Sequence, residues 1–342
     1  MTMERKYKVA VVGATGAVGT ELLRLLEERN FPLKELRLFA SDRSKGKQLS
    51  FKGRDLPVES LEGARFEGVE IALFSAGAAR SLEFAPKATA AGAIVIDNSS
   101  AYRNDPDVPL VVPEINSDAI QGYLKKGIIA NPNCTTAVML MGLYPLHRKA
   151  RVRRMIVTSF QAASGAGAAA MEELRQQSER VLRGEEAEPK IFPHPIAFNL
   201  IPHIDQFLET GYTQEEMKLL WETRKILGDP EIEVNATTVR VPVFRAHSVS
   251  VHAEFEKKIT VAEARALLLK APGVRLWDDP SKKEYPMPIL ASDREECYVG
   301  RIRQDLFNPK ALNLWVVGDQ LLKGAALNAV QIAEKLIEGY LQ

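Results

Sequence analysis

The chain has few cysteines and no excess of charge of either sign, and each shortage excludes a class of protein. Its 342 residues include two cysteines, Cys134 and Cys297, and neither has a CxxC or His-x-x-x-His companion. We therefore expect neither a disulfide framework nor a metal site. Lys and Arg number 45 against 44 Asp and Glu. Because the charges balance, no overall field favours binding to nucleic acid or to an acidic membrane.

Long apolar segments are also missing. No run approaches the roughly 18 residues of a membrane span, and the first residues lack the apolar segment and cleavage site of a signal peptide. We therefore expect a cytoplasmic protein. Its length suits two domains, and 46% hydrophobic with 26% charged residues is typical of soluble globular proteins.

The first part of the chain alternates apolar runs with helical stretches. The run Lys8–Val12 leads into the glycine-rich Gly13-Ala-Thr-Gly-Ala-Val-Gly19, and a helical pattern follows at Glu21–Arg29. Backbone N–H groups of such a turn can approach a pyrophosphate at the helix start, although glycines can also serve a tight turn alone. Further strands are expected at Leu36–Ala40, Glu70–Ser75, Ala93–Asp97 and Gly127–Ala130, with a helix at Ala78–Ala91. This alternation predicts an α/β fold with a doubly wound, Rossmann-type sheet.

The residues after the second predicted strand indicate which dinucleotide is bound. This segment reads Ser41-Asp-Arg43-Ser44-Lys-Gly-Lys. The guanidinium of Arg43 suits a 2′-phosphate, which favours NADP. Asp42 favours NAD instead, because an acidic residue here would bind the ribose hydroxyl of NAD. A solvated loop of mixed charge is the remaining alternative.

Cys134 lies where a nucleophile is expected. The stretch Asn131-Pro-Asn-Cys134-Thr-Thr follows a strand, and a helix is predicted from Thr135. The partial positive charge at a helix start favours thiolate over thiol and so lowers a cysteine pKa. The alternative is a small buried apolar residue, which is the commonest role of a free cysteine.

A second small-residue loop, Ser164-Gly165-Ala-Gly167, follows the predicted strand Met155–Thr158. It can admit a flat ring or offer N–H donors to an oxyanion, and a bare loop is equally consistent with the pattern. Further along, Thr213 and Glu216 fit a capping box, so Glu216 is interpreted as structural.

Glu215 and Lys218 lie three apart on this predicted helix and share a face, where a surface ion pair is the simplest interpretation. Arg240 and His247 belong to two predicted strand segments. Seven residues apart, they would point to opposite faces of one straight strand, so a bend at 242–246 must reset the register. A histidine can exchange a proton near neutral pH, which a cysteine nucleophile needs beside it.

Taken together, these motifs resemble those of the aspartate-semialdehyde dehydrogenase family over nearly the whole chain. The matching features are the turn at 13–19, Asn-Cys-Thr-Thr at 133–136, Gln161, the Ser-Gly-Ala-Gly loop, Glu-Glu-Met-Lys at 215–218, Arg240, His247 and the closing segment at 315–334. The family implies a nucleotide domain at 1–132 and 324–342. It also implies a catalytic and dimerisation domain at 133–323, of α+β type with a mostly antiparallel sheet.

The resemblance also implies roles for single residues. Cys134 would be the nucleophile, His247 the acid/base, and Gln161 would orient the substrate. Arg240 and Glu215 would hold the amino-acid end, and Arg103, Lys218 and Asn133 the phosphate. The expected cofactor contacts are Gly13, Thr15, Gly16, Ala17, Val18, Ser41, Arg43, Ser44, Ser164, Gly165 and Gln320.

The implied reaction is the NADPH-dependent reductive dephosphorylation of L-4-aspartyl phosphate to L-aspartate 4-semialdehyde, reversible and through a Cys134 thioester. It belongs to lysine, threonine and methionine biosynthesis. N–H groups at the cysteine helix start would hold the carbonyl oxygen. The implied partners are the small-molecule substrate, phosphate, and further copies in a homodimer or dimer of dimers.

Three alternative classes of protein share parts of this pattern. Glyceraldehyde-3-phosphate dehydrogenases have Ser-Cys-Thr-Thr-Asn, whereas here Asn133 precedes the cysteine and Ala137 follows Thr136. N-acetyl-γ-glutamyl-phosphate reductase is the closer alternative, but it should not need Glu215 and Arg240 to read a free amino acid. A silent NADP-binding module is disfavoured by the joint presence of Cys134 and its partners.

Overall fold

The computed structural model describes residues 5–341, and their contacts divide them into two units. The first comprises residues 5–132 and 325–341, and the second is Asn133–Gly324. Over the described residues, the helices fall short of the length and apolar character that a membrane crossing requires.

The first unit is built on a seven-stranded sheet in the order β3-β4-β2-β1-β5-β6-β7. Its strands are β1 (Tyr7–Val12), β2 (Leu33–Ala40), β3 (Gln48–Phe51), β4 (Arg54–Ser60), β5 (Ile71–Phe74), β6 (Ile94–Asp97) and β7 (Ile128–Ala130). Its helices are α1 (Ala17–Glu28), α2 (Ala78–Ala90), α3 (Pro113–Asn116) and, from the end of the chain, α9 (Leu327–Gly339). All neighbouring strands are parallel except β3 and β4.

The predicted Rossmann-type sheet is confirmed, and its central strands are buried, as their apolar sequences predict. Every residue of β5 and β6 is buried, and α1 buries Leu22, Leu23, Leu25 and Leu26. The β3–β4 hairpin was not predicted. It turns at Lys52 and Gly53, which both have positive φ, 49° and 71°. Two successive positive φ values are typical of the tight turns that connect hairpin strands.

The second unit contains a six-stranded sheet in the order β11-β12-β13-β10-β8-β9. Its strands are β8 (Val152–Gln161), β9 (Glu233–Arg240), β10 (His247–Phe255), β11 (Val274–Leu276), β12 (Cys297–Gln304) and β13 (Ala311–Gly318). Its helices are α4 (Cys134–Ala150), α5 (Ala168–Leu182), α6 (Gln214–Leu227), α7 (Val261–Leu268) and α8 (Pro288–Ala291). The three central pairings, β8–β10, β10–β13 and β12–β13, are antiparallel, as expected, whereas the two edge pairings are parallel.

Two local predictions in this unit are confirmed. Thr213 and Glu216 form the capping box of α6, and the helix ends at Gly228 in the left-handed conformation. The strand interrupted at 242–246 also exists: β9 ends at Arg240 and β10 begins at His247. Ala246 takes a positive φ of 72° in the bend. This bend resets the register between the two strands.

Candidate active site

The glycine-rich turn of the first unit leaves no room for a side chain at Gly13 or Gly19. A Cβ on Gly13 would lie 2.4 Å from the Ser75 carbonyl oxygen, and one on Gly19 would lie 2.1 Å from the Gly13 oxygen. Helix α1 begins at Ala17, and Gly16 at its N-cap has no side chain that could cap the first N–H groups. These residues therefore fit a pyrophosphate at the helix start.

The loop after β2 lies beside this turn. Thr15 Oγ1 donates a hydrogen bond to Ser44 Oγ at 3.3 Å. Ser44 is buried, whereas Arg43 is exposed. Asp42 accepts a hydrogen bond from Ser60. The acidic side chain is thus engaged within the protein, while the guanidinium of Arg43 reaches solvent.

In the second unit, Asn133 caps the cysteine helix. Helix α4 begins at Cys134, one residue earlier than predicted, because the Asn133 Oδ1 accepts the N–H groups of Thr135 and Thr136 at 2.9 and 3.1 Å. Cys134 is half-buried at the first helical position. The expectation that the helix-start N–H groups hold a substrate oxygen is wrong for Thr135 and Thr136, since the Asn133 side chain already occupies both.

A buried polar cluster lies around Glu215, next to this cap. Its Oε1 accepts from Asn133 Nδ2 at 2.9 Å and from Gln161 Nε2 at 3.2 Å, and its Oε2 lies 3.0 Å from Lys218 Nζ. The ion pair predicted from the helical spacing is therefore present, but it is not a surface pair, because the Glu215 side chain is 7% exposed and that of Lys218 18%.

Glu215 and Lys218 each stabilise the charged form of the other. Burial acts to raise the pKa of Glu215, but the charge of Lys218 and hydrogen bonds from Asn133, Lys218 and Gln161 outweigh it, so the pKa is lowered. Burial likewise opposes the charged form of Lys218, and Glu215 with Asp205 raises its pKa nonetheless. Both groups therefore stay ionised near neutral pH.

Arg240 and His247 meet at the backbone of Ala162. Arg240 Nη1 donates to the Ala162 carbonyl at 2.7 Å, and the Ala162 N–H donates to His247 Nδ1 at 3.1 Å. Burial lowers the pKa of Arg240, while the charges of Glu215 and Cys134 act to raise it. The structure thus brings Arg240 and His247 together.

The hydrogen bond from Ala162 fixes the tautomer of His247. Since Nδ1 accepts a backbone N–H, it carries no proton, and the proton of the neutral ring is on Nε2. Burial, and then the charge of Arg240, hold the pKa of this fully buried histidine well below 6.5. The Nε2 atom has no hydrogen-bond partner among the described residues. His247 is therefore a neutral ring with one unused donor.

The small-residue loop packs against this pair. A Cβ on Gly165 would lie 2.8 Å from Arg240 Nη1 and 3.1 Å from His247 Nε2. Ser164 is buried and accepts a hydrogen bond from Gln320, whose Oε1 accepts the N–H of Ala246 at 2.9 Å. Three of the predicted cofactor residues therefore line the loop next to the histidine, and their cofactor contacts stay a prediction.

Arg103 belongs to the first unit and is 8% exposed. Its Nε donates to the Asn131 carbonyl and its Nη2 to the Asn98 carbonyl, both at 2.8 Å. These bonds hold the guanidinium at the carboxyl ends of β6 and β7, where Asn98 and Asn131 directly follow the strands. Its predicted role in phosphate binding remains a prediction.

Sequence reasoning missed three features of the second unit. No sequence pattern indicates that the backbone of Ala162 binds both Arg240 and His247. A Cβ on Gly324 would lie 2.6 Å from the Cβ of Cys134, so the close approach of this segment to Cys134 requires glycine at position 324. Glu222 is buried and accepts the N–H of Asn133. Its spacing of seven from Glu215 is a signal that could have been used, since it places both on one helix face.

Over residues 5–341, no group of three or more His, Cys, Asp or Glu side chains is arranged to hold a metal ion. A Rossmann-type unit and a second unit with a capped cysteine, a buried Glu–Lys pair and an Arg–His pair define the class of the semialdehyde dehydrogenases. Family models agree: the semialdehyde dehydrogenase NAD-binding domain matches residues 8–123, and its dimerisation domain matches residues 143–323.

A similar protein shows to which family within this class the chain belongs. The aspartate-semialdehyde dehydrogenase of Aquifex aeolicus is 55% identical over 335 residues, covering 97% of this chain and 98% of the relative. The chain belongs to the aspartate-semialdehyde dehydrogenase family, as its motifs predicted.

Two solved structures of aspartate-semialdehyde dehydrogenases resemble this chain over nearly its whole length. That of aspartate semialdehyde dehydrogenase II from Vibrio cholerae, complexed with ASA, is 46% identical with a TM-score of 0.96, covering 98% of this chain and 100% of the other. That of the Candida albicans enzyme with NADP is 26% identical with a TM-score of 0.75, covering 97% and 99%.

Proposed function

We propose that this chain reduces L-4-aspartyl phosphate to L-aspartate 4-semialdehyde with NADPH, reversibly and through a thioester on Cys134, as a step of lysine, threonine and methionine biosynthesis. The observation that carries the proposal is the joint arrangement within the second unit. A cysteine at a capped helix start shares that unit with a buried Glu–Lys pair and with Arg240 and His247, which both bind the backbone of Ala162; the histidine keeps an unused donor.

In the first half of the reaction, the Cys134 thiolate attacks the acyl carbon. A sulfur–carbon bond forms, the bond from that carbon to the phosphate oxygen breaks, and inorganic phosphate leaves with both electrons. Lys218, which stays charged despite its burial, neutralises charge on the departing group. Arg103 is a second sequence-based candidate for this task.

The amino-acid end of the substrate is assigned to Arg240 and Glu215. A guanidinium matches a carboxylate through two parallel hydrogen bonds. The carboxylate of Glu215, ionised and held by Asn133, Gln161 and Lys218, suits an ammonium group. This pair is the reason to prefer a substrate with a free α-amino group over the N-acetylated glutamyl analogue. Gln161, bonded to Glu215, orients the same end.

Because the Asn133 side chain occupies the N–H groups of Thr135 and Thr136, we assign the oxyanion donor to His247. Its Nε2–H is unused in the free protein and can hydrogen-bond the carbonyl oxygen as that oxygen becomes negative in each half of the reaction. Because Nδ1 is engaged by the Ala162 N–H, the neutral ring acts as a hydrogen-bond donor through Nε2. Losing an oxyanion donor typically costs about 100- to 1000-fold in kcat.

For the cofactor, we propose NADP(H). When bound, it supplies the hydride that converts the thioester to the aldehyde. Support comes from the exposed guanidinium of Arg43, which suits a 2′-phosphate, and from Asp42, which is turned toward Ser60. The glycine turn from Gly13 to Gly19 holds the pyrophosphate, and Ser164, Gly165 and Gln320 are assigned to the nicotinamide end. The match to a dimerisation domain supports a homodimer as the assembled form.

One assay tests the activity. Purified protein is given NADP, phosphate and aspartate semialdehyde, and NADPH is followed by its absorbance. We expect turnover that depends on phosphate. Turnover only with N-acetylglutamate semialdehyde would favour the reductase alternative, and turnover with neither aldehyde would leave the silent binding module.

A further inference from the structure

Helix α6 carries a second buried carboxylate that none of the assigned roles uses. Glu222 is 1% exposed and Glu215 is 6% exposed. Seven residues separate them, which is two helical turns, so both side chains project from one face of α6. Burying a carboxylate is unfavourable unless it receives strong hydrogen bonds, so the contacts of Glu222 need an explanation.

Both carboxylates of this face bind Asn133. Glu222 Oε2 accepts the backbone N–H of Asn133 at 2.5 Å, and Glu215 Oε1 accepts its side-chain Nδ2 at 2.9 Å. One residue is therefore held at its backbone by one turn of α6 and at its side chain by another. These two contacts fix both the position and the rotation of Asn133.

Asn133 in turn sets the start of the cysteine helix. Its Oδ1 accepts from Thr135 and Thr136, and its carbonyl accepts from the N–H of Ala137 at 2.9 Å. The residue before it, Pro132, has no N–H, so the Asn133 N–H is the last backbone donor before Cys134. A buried donor left without an acceptor is unfavourable, so without Glu222 the loop would move to satisfy it.

We infer that Glu222 is a positioning residue for Cys134: its hydrogen bond to the Asn133 N–H holds the helix cap that orients the nucleophile. The inference rests on the proposed function of Cys134. Glu222 acts on Cys134 through Asn133, and for that contact the acceptor oxygen is the property that matters. A glutamine should therefore replace it, because its Oε1 has the same reach, whereas an aspartate is one methylene too short.

The test compares Glu222→Leu, Glu222→Gln and Glu222→Asp with the matched control Glu216→Leu. Glu216 lies on the same helix and also accepts backbone N–H groups, from Thr213 at 2.8 Å and Thr238 at 3.0 Å. It stabilises α6 without a bond to Asn133. Two readouts are measured: steady-state kcat and KM, and the pH dependence of iodoacetamide alkylation, with a Cys134→Ala variant giving the background from Cys297.

Glu222→Leu and Glu222→Asp should lower kcat by roughly 10- to 100-fold, since small misplacements of reacting groups have effects of that size. The KM for NADP should stay within about twofold, because no cofactor contact changes. The alkylation midpoint should move up by roughly 0.5 to 1 pH unit as the helix start loses its hold on the thiolate. Glu222→Gln should retain the wild-type alkylation midpoint. Glu216→Leu should lower Tm but leave the alkylation midpoint unchanged.

A wild-type midpoint and kcat in Glu222→Leu, with only Tm reduced, would overturn the inference. If Glu222→Leu does not fold, the Asp and Gln variants decide: a shift in both or in neither overturns it, and a shift in Asp alone supports it. The alkylation profile needs no turnover. An inactive wild-type protein would therefore refute the proposed function while the role of Glu222 was still measured.

Discussion

Replacing Gly165 with alanine should damage catalysis. The added methyl group would lie 2.8 Å from Arg240 Nη1 and 3.1 Å from His247 Nε2. Ordinary contact begins at about 3.5 Å, so the guanidinium must retreat by about 0.7 Å and the imidazole by about 0.4 Å. Displacements of this size cost roughly 10- to 100-fold in kcat/KM, which corresponds to about 1.4 to 2.7 kcal/mol of transition-state stabilisation.

The matched control is Gly167→Ala in the same loop. Gly167 has φ of 94° and ψ of −178°, a conformation almost confined to glycine, but a Cβ there would meet nothing within 4 Å. It should lose about 1 to 3 kcal/mol of unfolding free energy with a smaller effect on turnover. Steady-state kinetics and thermal melts separate the two. Wild-type kcat/KM in Gly165→Ala would refute the reasoning, because Arg240 and His247 could then not be working at their observed positions.

Three further predictions concern Cys134, Arg43 and His247. Cys134→Ala should abolish turnover while leaving the NADP dissociation constant, measured by fluorescence titration, nearly unchanged; appreciable residual activity would contradict the thioester. Arg43→Ala should raise the KM for NADP by roughly 10- to 100-fold, the worth of a charge-assisted hydrogen bond, without changing the KM for NAD; equal effects on both would exclude a 2′-phosphate contact. Because burial holds the pKa of His247 well below 6.5, the unfolded chain binds a proton that the folded chain does not as the pH falls below that value. The unfolding free energy should therefore fall with decreasing pH, by up to about 1.4 kcal/mol per unit, and urea titrations should find this slope reduced in His247→Asn; an unchanged slope would mean that the buried ring does not resist protonation.

The fold was largely predictable because its signals are local. Apolar runs, the glycine turn and the capping box of Thr213 and Glu216 each depend on residues within a few positions of one another. The β3–β4 hairpin escaped prediction because Lys52-Gly53 is a weak turn signal between short, half-exposed strands. The same local reasoning correctly placed Glu215 and Lys218 on one helix face. It wrongly placed them on the protein surface, because burial depends on which residues pack over the helix.

The sequence by itself determined which chemical groups this protein has and the order in which strands and helices present them, including a cysteine at a helix start. Tertiary structure alone decided how those groups are used. The Ala162 N–H sets the tautomer of His247, 85 residues further along the chain. Glu222, 89 residues from Asn133, accepts the N–H of that residue beside Cys134. These contacts join segments far apart in the chain, so no local pattern of residues encodes them, and they form only when the strands and helices pack.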